Sequence, residues 1–418
     1  MIDVASDRFV LGVNYWPRRK AMYWWSDFDR AEVKDEFDLI ASLGLNVVRL
    51  FLLWDDWQAD PGSVVPARLD DFATVCDLAA DLGLGLDVTF FTGHMSGPNW
   101  SPGWLLDPTA PQPSPHLRQV ISGGKIVSGS YRNMFHDPGA LAASQLLVST
   151  VVGGFKDHPA VWMWNLGNEP DLFAQPHSAA AGREWVRSLT ATIHELDPVH
   201  PVTCGLHAAS LLEENGFRVD QVYAETDAAV MHGYPMYVDW SRDELDADFV
   251  PFLCALVAAL AGKPCLAEEW GGCTNPDRDE STVWEWTSYG GNRRTQFMAG
   301  ESALAEHVEG VLPKLVEVGA TGAMLWCFAD YAENLWDRPP CDDHGAKHER
   351  HFGLVRSDGT VKPHAETIKQ FAATGPVVRP AVRTVELDVT PDEYYADPAT
   401  HARRLYRNYL ERYEGPPL

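Results

Sequence analysis

Two short stretches of this 418-residue chain could do chemistry together. In the first, the apolar run Val161-Trp162-Met163-Trp164 continues through Asn165-Leu166-Gly167 and ends abruptly in Asn168-Glu169 before Pro170. A buried strand delivers a carboxylic acid to the mouth of a barrel in this way, although a solvated turn with a capping Asn has the same letters. In the second, Lys263-Pro264-Cys265-Leu266-Ala267 runs into Glu268-Glu269-Trp270-Gly271. Two carboxylates flanking one scissile bond are what acid-assisted cleavage of a glycosidic bond requires, and a separation of about 5 to 5.5 Å would let one of them attack the anomeric carbon directly. Because side chains alternate along a strand, Glu268 competes with Glu269 for that position.

The elements that must place these residues recur along the chain. Apolar runs of strand length begin near Phe9, Asn46, Gly85, Val161, Pro201, Ala228, Pro264 and Gly322, and their near-continuous hydrophobicity indicates burial on both faces. Amphipathic stretches separate them. Val33, Phe37, Ile40 and Leu43 fall at helical spacing before Gly44, and Leu69, Phe72, Val75, Cys76, Leu78, Ala79 and Leu82 do so before Gly83. Eight strands with this punctuation predict a (β/α)8 TIM barrel over residues 1–375, with strands four and seven facing each other across its mouth. The connections 92–139 and 329–352 are longer than a barrel needs and both leave strand C-termini, the face on which barrel active sites lie. Residues 376–418, with Pro376, Pro380 and Pro391 and a helix from Pro398 to Tyr413, read as a short C-terminal extension packed on the barrel.

Composition narrows the partners. With 33 Lys plus Arg against 59 Asp plus Glu, the formal net charge of -26 disfavours nucleic acid and anionic membrane surfaces and suits a neutral small molecule. The N-terminus lacks the basic and apolar regions of an export signal, and no 18-residue apolar run stands out, so a soluble cytoplasmic protein is expected. Seven scattered cysteines read as reduced core residues, and the Asn99-Trp100-Ser101 sequon is without consequence in that setting. No Gly-rich dinucleotide fingerprint follows the first strand, and no cofactor is expected. Cys341, Asp342, Asp343, His344, His348 and His351 are of metal-ligand type without a recognised spacing, so they are read as a solvated lid and not as a metal site.

Asn168-Glu169-Pro170 and Glu269-Trp270-Gly271, joined by Arg49 on the second strand, His94 after the third, His232 and Tyr234 after the sixth and Trp326 on the eighth, resemble the clan A glycoside hydrolases, most closely family 5. The resemblance covers about Phe9 to Phe371 and implies Glu169 as acid/base and Glu269, directly before aromatic-Gly, as nucleophile. It implies Asn168 on the sugar 2-hydroxyl, His94 and His232 on hydroxyls or carboxylates, and Trp326 under the pyranose ring. Arg49 and Tyr234 should then hold Glu269 ionised, and burial should keep Glu169 protonated. Each supporting residue also has a purely structural reading: Arg49 as a buried ion-pair partner, the two histidines and Trp326 as core. Trp16, Trp24, Trp25, Trp54 and Trp57 near the same face are subsite walls or packing. The activity implied is a retaining β-glycoside hydrolase acting from the chain end on short β-linked oligosaccharides, with β-mannosidase first. The alternatives are β-glucosidase or β-galactosidase, an endo-acting mannanase or glucanase, a metal-dependent barrel hydrolase, and an inactive sugar-binding barrel. The sequence carries no indication of oligomeric state.

Overall fold

The computed structural model describes residues 7–115 and 118–415. Eight parallel strands form one sheet: β1 (Val10–Asn14), β2 (Val47–Leu53), β3 (Gly85–Thr92), β4 (Val161–Asn168), β5 (Val202–Gly205), β6 (Ala229–His232), β7 (Cys265–Trp270) and β8 (Gly322–Leu325). Each strand hydrogen-bonds its sequence neighbours and β8 returns to β1. Between β5 and β6 the ring is completed by the His232 N–H donating to the Leu206 carbonyl and the Thr203 hydroxyl donating to that of Ala228. Helices α1 (Arg30–Ser42), α2 (Pro66–Asp81), α3 (Pro138–Phe155), α4 (Ala179–Leu196), α5 (Val219–Val222), α6 (Phe249–Ala261), α7 (Glu301–Glu317) and α8 (Pro363–Ala373) follow the strands in turn. The (β/α)8 barrel expected from the sequence is therefore the observed fold.

Local chemistry fixes the helix ends. Asp29 caps α1 by accepting from the backbone N–H groups of Ala31 and Glu32, while Asp137 caps α3 ahead of Pro138, whose missing N–H costs nothing at a first turn. Gly44 and Gly83 leave α1 and α2 at positive φ (81° and 68°), where a side chain would be strained. Val33, Phe37 and Ile40 form the buried face of α1, as their spacing predicts.

One expectation needs correction. Pro138–Phe155 is, by length and composition, apolar enough to cross a membrane, with a mean hydropathy of 1.3. In the fold it is α3, which buries Ala140, Leu147, Val148, Val151 and Val152. A helix packed on apolar barrel strands can reach the mean hydropathy of a spanning helix by composition alone, here with 39% of its residues buried in the barrel.

The two long connections carry short elements among their described residues, in 329–352 the 3-10 turns Glu333–Leu335 and Lys347–His351. Residues 92–139 carry a small three-stranded sheet over Asn99–Trp100, Val120–Ser122 and Lys125–Val127. An antiparallel hairpin, Thr282–Thr287 with Arg293–Met298, follows β7. The tail ends in α9 (Pro398–Tyr413), which lays Tyr406 and Tyr409 on Phe252 of α6, with centroids 4.7 and 5.6 Å apart.

Candidate active site

Arg49, on β2 and wholly buried, is the hub of the barrel mouth. Its Nη1 donates to Asn14 Oδ1 (3.0 Å) and Glu269 Oε2 (3.1 Å), its Nη2 to Asn168 Oδ1 (3.0 Å), and its Nε to Thr89 Oγ1 (3.0 Å). Nη2 also lies 3.3 Å from Glu268 Oε2. A buried cation needs this many acceptors to offset lost hydration. Gly205 at the end of β5 makes room for it: a Cβ there would stand 2.7 Å from the Gly167 carbonyl, 2.8 Å from Arg49 Nη2 and 3.1 Å from Glu268 Oε2.

Both adjacent glutamates of β7 reach Arg49, which strict alternation forbids. The register explains it. Ala267 pairs with Met231, yet Glu269 pairs with the very next residue of β6, His232, and a matching shift occurs against β8. One extra residue on β7 bends the strand and re-aims its side chains. Glu268 turns into the barrel, fully buried beside Asn165, whose Nδ2 donates to it at 3.0 Å, and Glu269 faces the cavity.

Glu169 follows β4 in the left-handed region (φ 44°, ψ 58°), a conformation that a non-glycine residue adopts only when its surroundings impose it. The Glu169 N–H donates to the Gly205 carbonyl at 3.0 Å. Facing ligand atoms of Glu169, Glu269 and His232 all lie within 4.8 Å of one another. His232 joins the acids, with Nδ1 3.0 Å from Glu169 Oε1 and Nε2 2.9 Å from Glu268 Oε2. The Tyr234 hydroxyl donates to Glu269 Oε1 at 2.8 Å.

These groups open on a cavity of about 370 Å³. His94, Asn168, Glu169, His232, Tyr234, Glu269 and Trp326 all line it, and Arg49 stands directly behind Glu269 and Asn168. His94 is fixed by Asn99 Oδ1 (2.8 Å from Nδ1), and its carbonyl accepts from Asn168 Nδ2 at 3.2 Å. Burial and the nearby Arg118 lower its pKa to about 3, so His94 is neutral.

The charge order of the two facing carboxylates reverses the sequence expectation. Burial works to raise Glu169, but the His207 and His232 imidazoliums outweigh it and hold this carboxyl below its ordinary range. Glu269 is raised, first by burial and then by the charge of Glu169, against the pull of His232 and Arg49. The missed ingredient is His207. Burial opposes its charge, yet Asp171 (2.9 Å from Nε2) and Glu169 push its pKa up to about 9. His232 is likewise raised to about 9 by Glu269, Glu169 and Glu268 despite burial.

The open choice for the first five tryptophans falls to packing, and the lid reading is corrected. Trp16, Trp24, Trp25, Trp54 and Trp57 are core, at most 1% exposed, and pack in an aromatic cluster in which the Trp16 and Phe51 rings stack at 5.0 Å and Trp25 meets Trp57 edge-on. Trp326 is the tryptophan that lines the cavity. Nor is the Cys341-to-His351 segment a solvated lid: Cys341, His348, Glu349, Arg350 and His351 are buried, and Ala346, His348, Glu349 and Phe352 form one wall of the cavity. Its ligand-type residues are otherwise engaged: His348 pairs with the Tyr237 hydroxyl and Asp343 with Arg350.

A family model described as glycosyl hydrolases family 2, TIM barrel domain, matches residues 114–374. The chain is similar to mannan endo-1,4-beta-mannosidase A of Hypocrea jecorina, at 25% identity over 279 residues, covering 64% of this chain and 61% of that one. Other curated mannan endo-1,4-beta-mannosidases are matched over little more than a third of their length, as for the 37% of the probable F enzyme of Aspergillus flavus. Among solved structures, the exo-beta-1,4-mannosidase Op5Man5 of Opitutaceae bacterium strain TAV5 superposes with a TM-score of 0.70 at 25% identity, covering 90% of this chain and 61% of that one. A GH5_18 variant from Streptomyces cattleya in complex with Manb1-4GlcNAc superposes with a TM-score of 0.77 at 20% identity, covering 97% and 92%. At that identity the likeness is one of fold.

Proposed function

Since the chain belongs to the TIM-barrel glycosyl hydrolases matched over residues 114–374, and is a mannosidase-like member of clan A close to family 5, we propose that it is a retaining β-mannosidase acting on the ends of short β-mannosides. One observation carries the mechanism: an oxygen of Glu169 and an oxygen of Glu269 lie within 4.8 Å of each other, which favours the close carboxyl pair of direct attack, at about 5 to 5.5 Å, over the roughly 6.5 to 9.5 Å that leaves room for an intervening water. Glu269, with Arg49 on one oxygen and Tyr234 on the other, attacks the anomeric carbon. The glycosidic bond breaks as its oxygen takes a proton from Glu169, leaving a glycosyl ester on Glu269. Water then attacks the same carbon, gives a proton to Glu169, and the ester bond breaks to free Glu269.

The proton arithmetic involves His232. In the empty site Glu169 is the more acidic of the two carboxyls, whereas cleavage needs it protonated. His232, charged below about pH 9, holds its Nδ1 proton 3.0 Å from Glu169. Cleavage requires that proton to sit on Glu169, a transfer against the resting charge order that the bound sugar has to drive. As Glu269 becomes an ester its negative charge disappears, and Glu169 is free to act as base.

The mannosidase reading draws on the names of the relatives, and the chain-end reading on the walls that residues 346–352 and the 92–139 arm contribute to the cavity. Mannotriose should give mannose from the end, and aryl β-mannosides should be cleaved faster than the gluco, galacto, xylo and fuco analogues. Glu269→Ala should lose hydrolysis while staying folded, and azide should restore turnover as the inverted glycosyl azide. Mixed internal products, full activity of Glu269→Ala, or an inverted first-formed anomer from the wild type would each sink the corresponding part. Glu169, His232 and Glu269 could also grip a cation, which favours metal-assisted hydrolysis as a second reading. That reading requires activity to fall with chelator and return with metal.

A further inference from the structure

The cavity has two unlike ends. At one, Glu169 is surrounded by His94, His207 and Arg118. At the other, beyond Trp326, stands a third carboxylate, Glu349. Its Oε2 accepts from Trp326 Nε1 and from the Ser96 hydroxyl, both at 3.2 Å. Oε1 has no such donor among the described residues: the nearest basic atom, His348 Nε2, is 3.6 Å away and is engaged with Tyr237 at 3.1 Å. Half of this carboxylate is fixed and half is presented to the cavity.

The surroundings are built for this pose. Ser96 sits at φ 53°, and a serine held in the left-handed region stores strain that the fold must override. Gly97 follows at φ 107°, where a Cβ would stand 2.9 Å from that of Ala346. The strained turn closes the arm against the 346–352 wall and brings the Ser96 hydroxyl to Glu349.

Resting on the glycosidase reading above, we propose that Glu349 receives the 3- and 4-hydroxyls of the terminal sugar and thereby confines cleavage to an unsubstituted chain end. The anomeric carbon must lie between Glu169 and Glu269, with the leaving group on the side of the acid. Carbon 4 is the ring atom opposite that centre and carbon 3 adjoins it, so a ring lying over Trp326 with that edge toward Glu349 directs their hydroxyls at its free oxygen. A carboxylate oxygen accepts from two vicinal hydroxyls at once, and a substituent on the 4-hydroxyl removes one donor and meets the wall. The ligand class is a terminal pyranoside with a free 3,4-diol.

The test compares the best aryl β-glycoside from the panel above with its 2-, 3- and 4-deoxy analogues in the wild type and in Glu349→Gln. Loss of a hydrogen bond to a charged group is worth about 10- to 100-fold. The wild type should lose that factor in kcat/KM on removal of the 3- or 4-hydroxyl. Glu349→Gln should lose a similar factor on the parent and a smaller one on the 4-deoxy substrate, where only the 3-hydroxyl still reaches the carboxylate. Equal losses by the variant on parent and 4-deoxy substrate, or a wild type indifferent to the 3- and 4-hydroxyls, would overturn the assignment. A wild type indifferent to both hydroxyls refutes the assignment even if the variant fails to fold. If no aryl glycoside is cleaved, the glycosidase reading fails on its own. Calorimetric binding of methyl β-mannoside and its 4-deoxy analogue then tests Glu349 separately, with equal affinities refuting it.

Discussion

At the scale of single residues, the site is a buried charge balance in which Glu169, Glu268 and Glu269 each face a named cation. His207 is the most informative because its charge depends on Asp171 and Glu169. A histidine whose folded pKa is raised contributes stability in full below its unfolded value near 6.5, and that contribution disappears as pH rises toward 9. Asp171→Asn should therefore cost on the order of 2 kcal/mol at pH 6 and progressively less toward pH 9, as measured by denaturant unfolding at a series of pH values. A constant difference across that range would remove the charge on His207 from the account. The sequence exposed Arg49 because a lone cation interrupts an apolar run, and Glu169, Glu269 and Tyr234 because each ends or closely follows one. His207 stands just beyond β5 in the same way, directly after the PVTCGL run, so the signal was present. Arg118 lies in irregular chain and Glu349 in the five-residue 3-10 helix Lys347–His351, both too short of a repeating pattern to announce which side chain faces inward.

Among the elements, β7 decides most. Its extra residue lets one strand send Glu268 to the structural network and Glu269 to the cavity. Strand positions, strand order and helix spacing were all legible, since two-faced burial and helical periodicity leave direct marks on sequence. The bulge left none, because it depends on how β7 meets both neighbours. Gly205 belongs to the same geometry: the backbone of β5 must approach Arg49 closely, and a methyl group has nowhere to go. Gly205→Ala should lower thermal stability by about 1 to 3 kcal/mol through overpacking. It should also reduce kcat/KM by about 10-fold or more, since small displacements of Arg49 propagate to Glu269 and Asn168. Wild-type kinetics in that variant would show that β5 has slack.

For the whole molecule, the tail and the barrel share one apolar surface. Tyr406 fills the space between Trp240 and Phe252 and donates its hydroxyl to Asp246, while Arg383 pairs with Glu317 and Glu414. Tyr406→Ala should cost about 3 to 5 kcal/mol, the range for emptying a large aromatic site, yet leave kcat per folded molecule unchanged because the cavity is elsewhere. Scanning calorimetry with active-site titration separates the two effects. The seven cysteines have a different consequence. All are buried and unpaired, on α2, β5, α6 and β7 and in the chain after β7 and β8. Thiolates, and not buried thiols, react with alkylating reagents, so each cysteine is silent until its own part of the barrel opens to solvent. Iodoacetamide labelling of the native protein, read peptide by peptide in a mass spectrometer, would therefore report the order in which sectors of the ring come apart.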